Sequence, residues 1–144
     1  MTRINCVPVE TLTDKHLLAE YKEITRPFNK VIKRVEKYGI DKALNNVNIP
    51  EQYVLGSGHE SFFFNKLNWL HQRYTQLWCE LDSRGFNVCR VKFGNISADL
   101  SEALVDTPYW GSWKPTPEDM YLNMARLAKR SNLDNVLEEL SSRG

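Results

Sequence analysis

Two residues near the start of the sequence have groups that could react or catalyse a reaction. Thr2 follows Met1, and threonine is small enough for the initiator methionine to be removed, which would leave Thr2 with a free α-amine. The pKa of such an amine is roughly 7.7–8.0, so an appreciable fraction is an unprotonated nucleophile near neutral pH. Many cytosolic proteins have a small second residue, so the same pattern also fits an N-terminus without a catalytic role.

The other residue is Glu23, which lies among Lys22, Arg26 and Lys30 in the sequence. A carboxylate surrounded by bases usually belongs to a solvated face of ion pairs. A functional carboxylate would instead have to be buried against a substrate. His16 lies two turns earlier on the same helix face, where it is either a surface histidine or a member of the same site.

The basic residues around Glu23 are concentrated in one part of the chain. Residues 15–37 contain seven Lys or Arg against three Glu, a local charge of +4 in a protein whose net charge is +1. These bases could neutralise DNA phosphates, or they could form a solubilising face. The row consists of Lys22, Arg26, Lys30 and Lys33. Arg126 and Arg130, four residues apart on a later predicted helix, form a second basic patch with the same two interpretations.

The composition predicts one domain that spans residues 1–144, because 144 residues with 42% hydrophobic content can bury one core. The low net charge excludes a uniformly basic coat, so any DNA surface must be local. The sequence has no apolar run that could span a bilayer and no signal-peptide core, so we expect a cytoplasmic protein that does not contact membranes. Cys6, Cys79 and Cys89 lack disulfide or zinc-ligand spacing and are predicted to be reduced packing residues.

The positioning of Glu23 depends on a first predicted helix. Thr13 is a suitable N-cap for this helix, and Gly39 ends it. Pro27 cannot donate to the carbonyl of Glu23, which predicts either a kink or a break followed by a restart with Thr25 near the cap. The bend falls beside Glu23 in both cases.

The rest of the chain predicts an all-α fold: a compact bundle of three main helices with substantial loops and a short C-terminal helix. The second helix follows LGSGHES and ends at Gly85, and the third begins near Thr116. Residues 88–93 could form a short extended stretch. Between the second and third helices lies a loop with Tyr109, Trp110 and Trp113, which could stack on bases or lock the loop onto its own core.

Three separated stretches together resemble one known family. MTRIN, HLLAEYKEITR and LGSGHESFFFNKLNWL are similar to the pyrimidine-dimer DNA glycosylases of the endonuclease V type, known from T-even phages, over roughly residues 1–95. A weaker similarity continues through PTPEDMYLNMARLAKR. The resemblance implies a monomeric helical enzyme without metal or cofactor that acts on damaged double-stranded DNA, in the host cytoplasm if a phage encodes it. It also implies combined glycosylase and abasic-site lyase activity.

The resemblance assigns a role to each matching residue. Thr2 would be the nucleophile whose amine forms an imine at C1′ of the 5′ sugar of a cyclobutane pyrimidine dimer, and Glu23 would be the catalytic glutamate. Further positions match residues that contact the DNA substrate in the family: Arg3, His16, Arg26 and Arg126. Lys22 stands where the family usually has Arg, which keeps the charge and loses the bidentate geometry.

One departure from the family leaves alternatives open. The family's C-terminus is rich in Trp and Tyr near the lesion, whereas this chain has no aromatic residue after Tyr121. Tyr109, Trp110 and Trp113 are candidates for a substitute platform. The alternatives are the same amine chemistry on a different damaged or modified base, and a noncatalytic DNA-binding or helical interaction protein on the same scaffold.

Overall fold

Helices form the framework of the protein. The computed structural model describes residues 2–143, and it describes side chains over residues 2–130. Six α-helices follow one another along the chain: α1 (Asp14–Glu23), α2 (Thr25–Tyr38), α3 (His59–Phe62), α4 (Leu67–Ser83), α5 (Arg90–Leu104) and α6 (Pro117–Arg143). Short 3-10 turns lie at Val9–Thr11, Ile40–Lys42 and Phe63–Asn65. No strand occurs between residues 2 and 143, which confirms the predicted all-α class.

The junction between α1 and α2 places Glu23 at a helix end. Thr13 caps α1, since its hydroxyl accepts the N–H of His16 at 3.2 Å. Ile24 separates the two helices, and its N–H still donates to Glu20 O at 2.9 Å. Pro27 lies in the first turn of α2, where a missing N–H removes no helical hydrogen bond. Of the two predicted arrangements, the break with a restart at Thr25 is the correct one.

The core lies between α4 and the helices around it. α4 packs against both α1 and α5. Leu17, Ile24 and Phe28, which lie on one stripe across the α1–α2 junction, are fully buried. The facing side of α4 contributes Leu67, Leu70, Tyr74, Leu77 and Leu81.

The aromatic loop before α6 packs onto this core. The ring of Trp113 lies 4.8 Å from Trp69 and 5.1 Å from Phe62, measured between centroids, and Tyr109 OH donates to Ile40 O. The loop also caps α4, since Leu67 N donates to Tyr109 O at 3.1 Å. The second sequence interpretation of this loop, that it is locked onto its own core, is therefore the one that the structure supports.

Two sequence predictions need correction, and a third lies where side chains are not described. Residues 88–93 are not an extended stretch, because α5 begins at Arg90; its partly buried Phe93 and Ile96 continue to Leu100 and Leu104 at helical spacing. The predicted third helix and C-terminal helix form one backbone helix, α6. The predicted apolar face at Leu133, Val136, Leu137 and Leu140 lies outside the described side chains.

The cysteine prediction is right only for Cys6, which is buried. Burial raises the pKa of its thiol to about 12, so the thiol is neutral. Cys79 and Cys89 are exposed, which contradicts their predicted packing role.

Over the described part of the chain, no helix combines the length and apolar character that a membrane crossing requires.

Candidate functional site

Side chains from several helices hold the N-terminal segment, residues 2–7. Four of its backbone N–H groups donate to side chains rather than to other backbone. Arg3 N donates to Glu23 Oε1 at 3.1 Å and Ile4 N donates to His59 Nε2 at 2.9 Å. Cys6 N and Val7 N both donate to Asn123 Oδ1, at 2.7 and 3.2 Å. The segment therefore has a defined path that ends at Glu23.

Thr2 lies next to this carboxylate. Thr2 is only 7% exposed, and its hydroxyl accepts a hydrogen bond from Arg26 Nη1 at 3.3 Å. The same Arg26 nitrogen is 3.7 Å from Glu23 Oε1. Backbone bond lengths limit the distance between the nitrogens of Thr2 and Arg3, so the Thr2 nitrogen lies within about 7 Å of Glu23 Oε1. The sequence-predicted nucleophile and carboxylate are thus brought together.

An open cleft of about 510 Å³ surrounds Glu23. Its walls come from the N-terminal segment and from the exposed face of α1 and the start of α2: Arg3, Lys15, Leu18, Ala19, Lys22, Glu23 and Arg26. Cations outnumber the single carboxylate, which suits a polyanionic ligand. Lys15 was not among the sequence-predicted site residues, although its spacing of one turn from Ala19 and two from Lys22 was a signal that could have identified it.

A narrow second pocket adjoins the cleft and shares Arg3 and Ala19 with it. The predicted residues His16, Arg126 and Arg130 line this pocket. Two long-range contacts hold Arg126 there, since its Nη2 donates to Asn5 Oδ1 at 2.7 Å and to Ile4 O at 3.4 Å. The basic patch of α6 and the basic face of α1 therefore form one continuous surface.

Two of the predicted bases lie apart from both cavities. Lys30 pairs with Glu60 at the start of α3, and Lys33 is exposed further along α2. In the part of the chain with described side chains, neither residue lines the cleft or the adjoining pocket. The structure thus separates them from the other predicted site residues.

A buried ion pair at the adjoining pocket, which Glu20 lines, was missed by sequence reasoning. Glu20 and Arg73 are 1% and 3% exposed and form two hydrogen bonds, Arg73 Nε to Oε2 at 2.8 Å and Nη2 to Oε1 at 3.0 Å. Glu20 Oε1 also accepts from Asn5 Nδ2 at 2.8 Å, and Arg73 Nη1 donates to Val7 O at 2.6 Å. The position of Glu20 beside the apolar stripe of α1 was the available signal, because a charge there requires a partner.

His59 also holds the N-terminal segment, through the backbone of Ile4. Its Nδ1 lies 2.7 Å from Val54 O, which can only accept, so Nδ1 carries the proton and Nε2 accepts from Ile4 N. Burial lowers the pKa of His59 to about 4, which keeps this neutral tautomer at ordinary pH. Gly58, with φ +87°, makes the turn into α3, and a Cβ there would lie 3.0 Å from Pro50 Cγ.

The site is a cation-lined cleft around one carboxylate, with the start of the chain held beside it, an arrangement that suits a polyanionic ligand. No three His, Cys, Asp or Glu side chains among the described residues come together as metal ligands. The sequence model of one family, described as pyrimidine dimer DNA glycosylase, matches residues 1–93. Because this match covers more than half of the chain, the protein belongs to the pyrimidine dimer DNA glycosylase family. The predicted resemblance is confirmed, and α6 lies beyond the matched residues.

Proposed function

We propose that the protein is a DNA repair glycosylase with abasic-site lyase activity that acts on cyclobutane pyrimidine dimers. The proposal assumes that Met1 is removed and that the Thr2 amine is the nucleophile. The observation that supports it is the hydrogen bond from Arg3 N to Glu23 Oε1, because Arg3 is the residue next to the proposed nucleophile. The proposal includes one domain over residues 1–144 that acts as a monomer in the cytoplasm.

In the first step the neutral Thr2 amine attacks C1′ of the 5′ sugar. The glycosidic bond breaks, and its electron pair leaves with the pyrimidine, which takes up a proton. The nitrogen loses one proton, the bond from C1′ to the ring oxygen breaks, and the second N–H proton moves to that oxygen, which gives an imine at C1′ and a hydroxyl at C4′. Glu23 stabilises the positive charge that develops on the sugar carbon.

In the second step β-elimination from the imine intermediate cleaves the DNA strand. A proton leaves C2′, the electron pair forms the C2′–C3′ double bond, and the bond from C3′ to the phosphate oxygen breaks. Glu23 assists the movement of this proton. Hydrolysis of the remaining imine releases Thr2. The side chain of Glu23 is 13% exposed at the cleft, so substrate could reach it.

The cations around the site supply the contacts to DNA phosphates in this proposal. Arg3, Lys22 and Arg26 line the cleft, whereas His16, Arg126 and Arg130 line the adjoining pocket. Lys30 and Lys33 would contact the backbone further along α2. Such contacts make binding steeply dependent on salt.

A second candidate is the same amine chemistry on a different damaged or modified base. It is favoured by the composition of the cleft, because none of the described side chains that line it is aromatic. Trp113 and Tyr109 are instead packed on the core. Comparison of irradiated DNA with DNA that carries other lesions separates the two candidates.

The decisive experiment is reductive trapping with borohydride. Mass spectrometry first establishes that Thr2 is the N-terminal residue, and the protein is then mixed with irradiated or abasic duplex DNA. We expect a covalent adduct with the wild type, and Glu23→Gln should retain DNA binding and lose strand cleavage. Glu36→Gln, an exposed carboxylate on α2, is the matched control. A correctly processed protein that binds DNA and gives no adduct would instead be a noncatalytic DNA-binding protein.

A further inference from the structure

α6 reaches the N-terminal segment through one buried amide, Asn123. The residue is 0% exposed. Its Oδ1 accepts from Cys6 N and Val7 N, and its Nδ2 donates to Asn5 Oδ1 at 2.7 Å. A single side chain therefore binds three consecutive residues of the segment.

Packing alone does not require an amide at this position. Met120 and Leu127 lie one turn before and after Asn123, and both pack against the core, so an apolar residue would continue the same face. An amide placed in a core destabilises the fold unless it is hydrogen-bonded. What the amide adds is selectivity for one register, because its Nδ2 donates to the side-chain oxygen of Asn5, and neither Ile4 nor Cys6 has such an oxygen to offer after a slip of one residue.

The register of this segment decides where Thr2 lies. If the segment slipped by one residue, the chain would advance by up to about 3.6 Å. Asn5 would then leave Glu20, and Arg3 N would leave Glu23 Oε1, to which it donates in the observed register. A displacement of about 1 Å is already sufficient to slow a positioned reaction on the order of 10²-fold.

We propose that Asn123 is a positioning residue for the Thr2 amine. This inference rests on the proposed function and adds to it that α6, which lies outside the residues matched by the family, is part of the catalytic apparatus. Asn123 acts through the backbone of residues 5–7 and does not contact the substrate. Arg126 reinforces the same register through Ile4 O and Asn5 Oδ1.

The test compares two substitutions of similar volume. Asn123→Leu removes both polar atoms, whereas Asn123→Asp keeps the Oδ1 acceptor for Cys6 N and Val7 N. We expect Asn123→Leu to lower the rate of borohydride-trappable adduct at saturating abasic DNA by at least about tenfold, with the dissociation constant for DNA unchanged within twofold. Asn123→Asp should recover part of the rate. Asn95→Leu, on the exposed side of α5, is the control and should match the wild type.

A structural readout accompanies the kinetic one and does not depend on activity. Hydrogen exchange of the Arg3 amide reports its bond to Glu23, so exchange should accelerate in Asn123→Leu and be partly protected in Asn123→Asp. The inference is wrong if Arg3 exchange and adduct rate in folded Asn123→Leu equal those of the wild type. It is also wrong if the rate falls only in proportion to the folded fraction. A wild type that forms no adduct refutes the proposed function, and Arg3 exchange then decides the positioning role alone.

Discussion

The backbone N–H of Arg3 donates to Oε1 of Glu23 across 20 residues of sequence, at 3.1 Å. The same carboxylate oxygen is 3.7 Å from Arg26 Nη1, which donates to the hydroxyl of Thr2. The start of the chain and the end of α1 are thus connected in two ways. One is the hydrogen bond from Arg3 N to Glu23, and the other is the Arg26 side chain, which contacts both Thr2 and Glu23.

The Thr2 hydroxyl is expected to orient the amine. Thr2→Ala removes the acceptor for Arg26 and should slow adduct formation on the order of tenfold, because a hydrogen bond to a charged group contributes roughly 1.5 kcal/mol. Thr2→Ser keeps the hydroxyl and should remain close to the wild type. Single-turnover trapping on abasic DNA measures both rates, after mass spectrometry has verified removal of Met1. Equal rates for the two variants would show that the hydroxyl has no orienting role.

The ion pair between Glu20 and Arg73 is expected to be a large contributor to stability. Arg73→Met leaves a buried carboxylate without its partner and should lower the free energy of unfolding by about 3–5 kcal/mol. Denaturant titration followed by circular dichroism measures the change. Arg90→Met, an exposed arginine at the start of α5, should change stability by less than about 0.5 kcal/mol. A small effect of Arg73→Met would mean that Glu20 becomes protonated or hydrated without cost.

Stability should decrease in mild acid because of His59. Its pKa is about 4 in the folded protein and about 6.5 when unfolded, so the unfolded state binds the proton first. The stabilisation is complete above pH 6.5 and is lost as the pH falls towards 4, by roughly 3 kcal/mol in total.

Denaturant midpoints between pH 7 and 5 measure this slope above the range where carboxylates titrate. His59→Gln retains an acceptor for Ile4 N and lacks the titrating ring, so its midpoints should be flatter over the same range. An identical slope in both proteins would assign the acid sensitivity to other groups.

The cations of the cleft should determine the salt dependence of DNA binding. Lys15→Ala and Lys22→Ala should each weaken binding to duplex DNA and reduce the slope of log K against log salt by about 1. Lys42→Ala, an exposed lysine beyond α2, should leave the slope unchanged. Fluorescence anisotropy at several salt concentrations measures these slopes. If Lys42→Ala has the same effect as Lys15→Ala, binding is not localised at the cleft.

Local sequence signals were sufficient where the physics is local. Thr13 caps α1 because its hydroxyl reaches an N–H three residues away, and Pro27 lies in the first turn of α2, where its missing N–H removes no helical hydrogen bond. The placement of Glu23 at a bend surrounded by bases followed from the same short-range rules. The all-α class followed from apolar residues at helical spacing.

Only the tertiary structure showed which distant residues meet. Arg3 and Glu23, Ile4 and His59, and Cys6 and Asn123 are 20, 55 and 117 residues apart, and nothing in the local pattern of either partner specifies the other. α5 was missed because residues 88–93 alternate briefly before their helical period becomes visible.

The sequence by itself thus determined the family, the all-α class and the residues with reactive groups, because those depend on identity and short-range spacing. The tertiary structure decided that the N-terminal segment is held at Glu23 and that α6 contributes Asn123 and Arg126 to this arrangement. It also decided that the aromatic loop packs on the core. Each of these results depends on which surfaces can be buried together, a property of the whole chain.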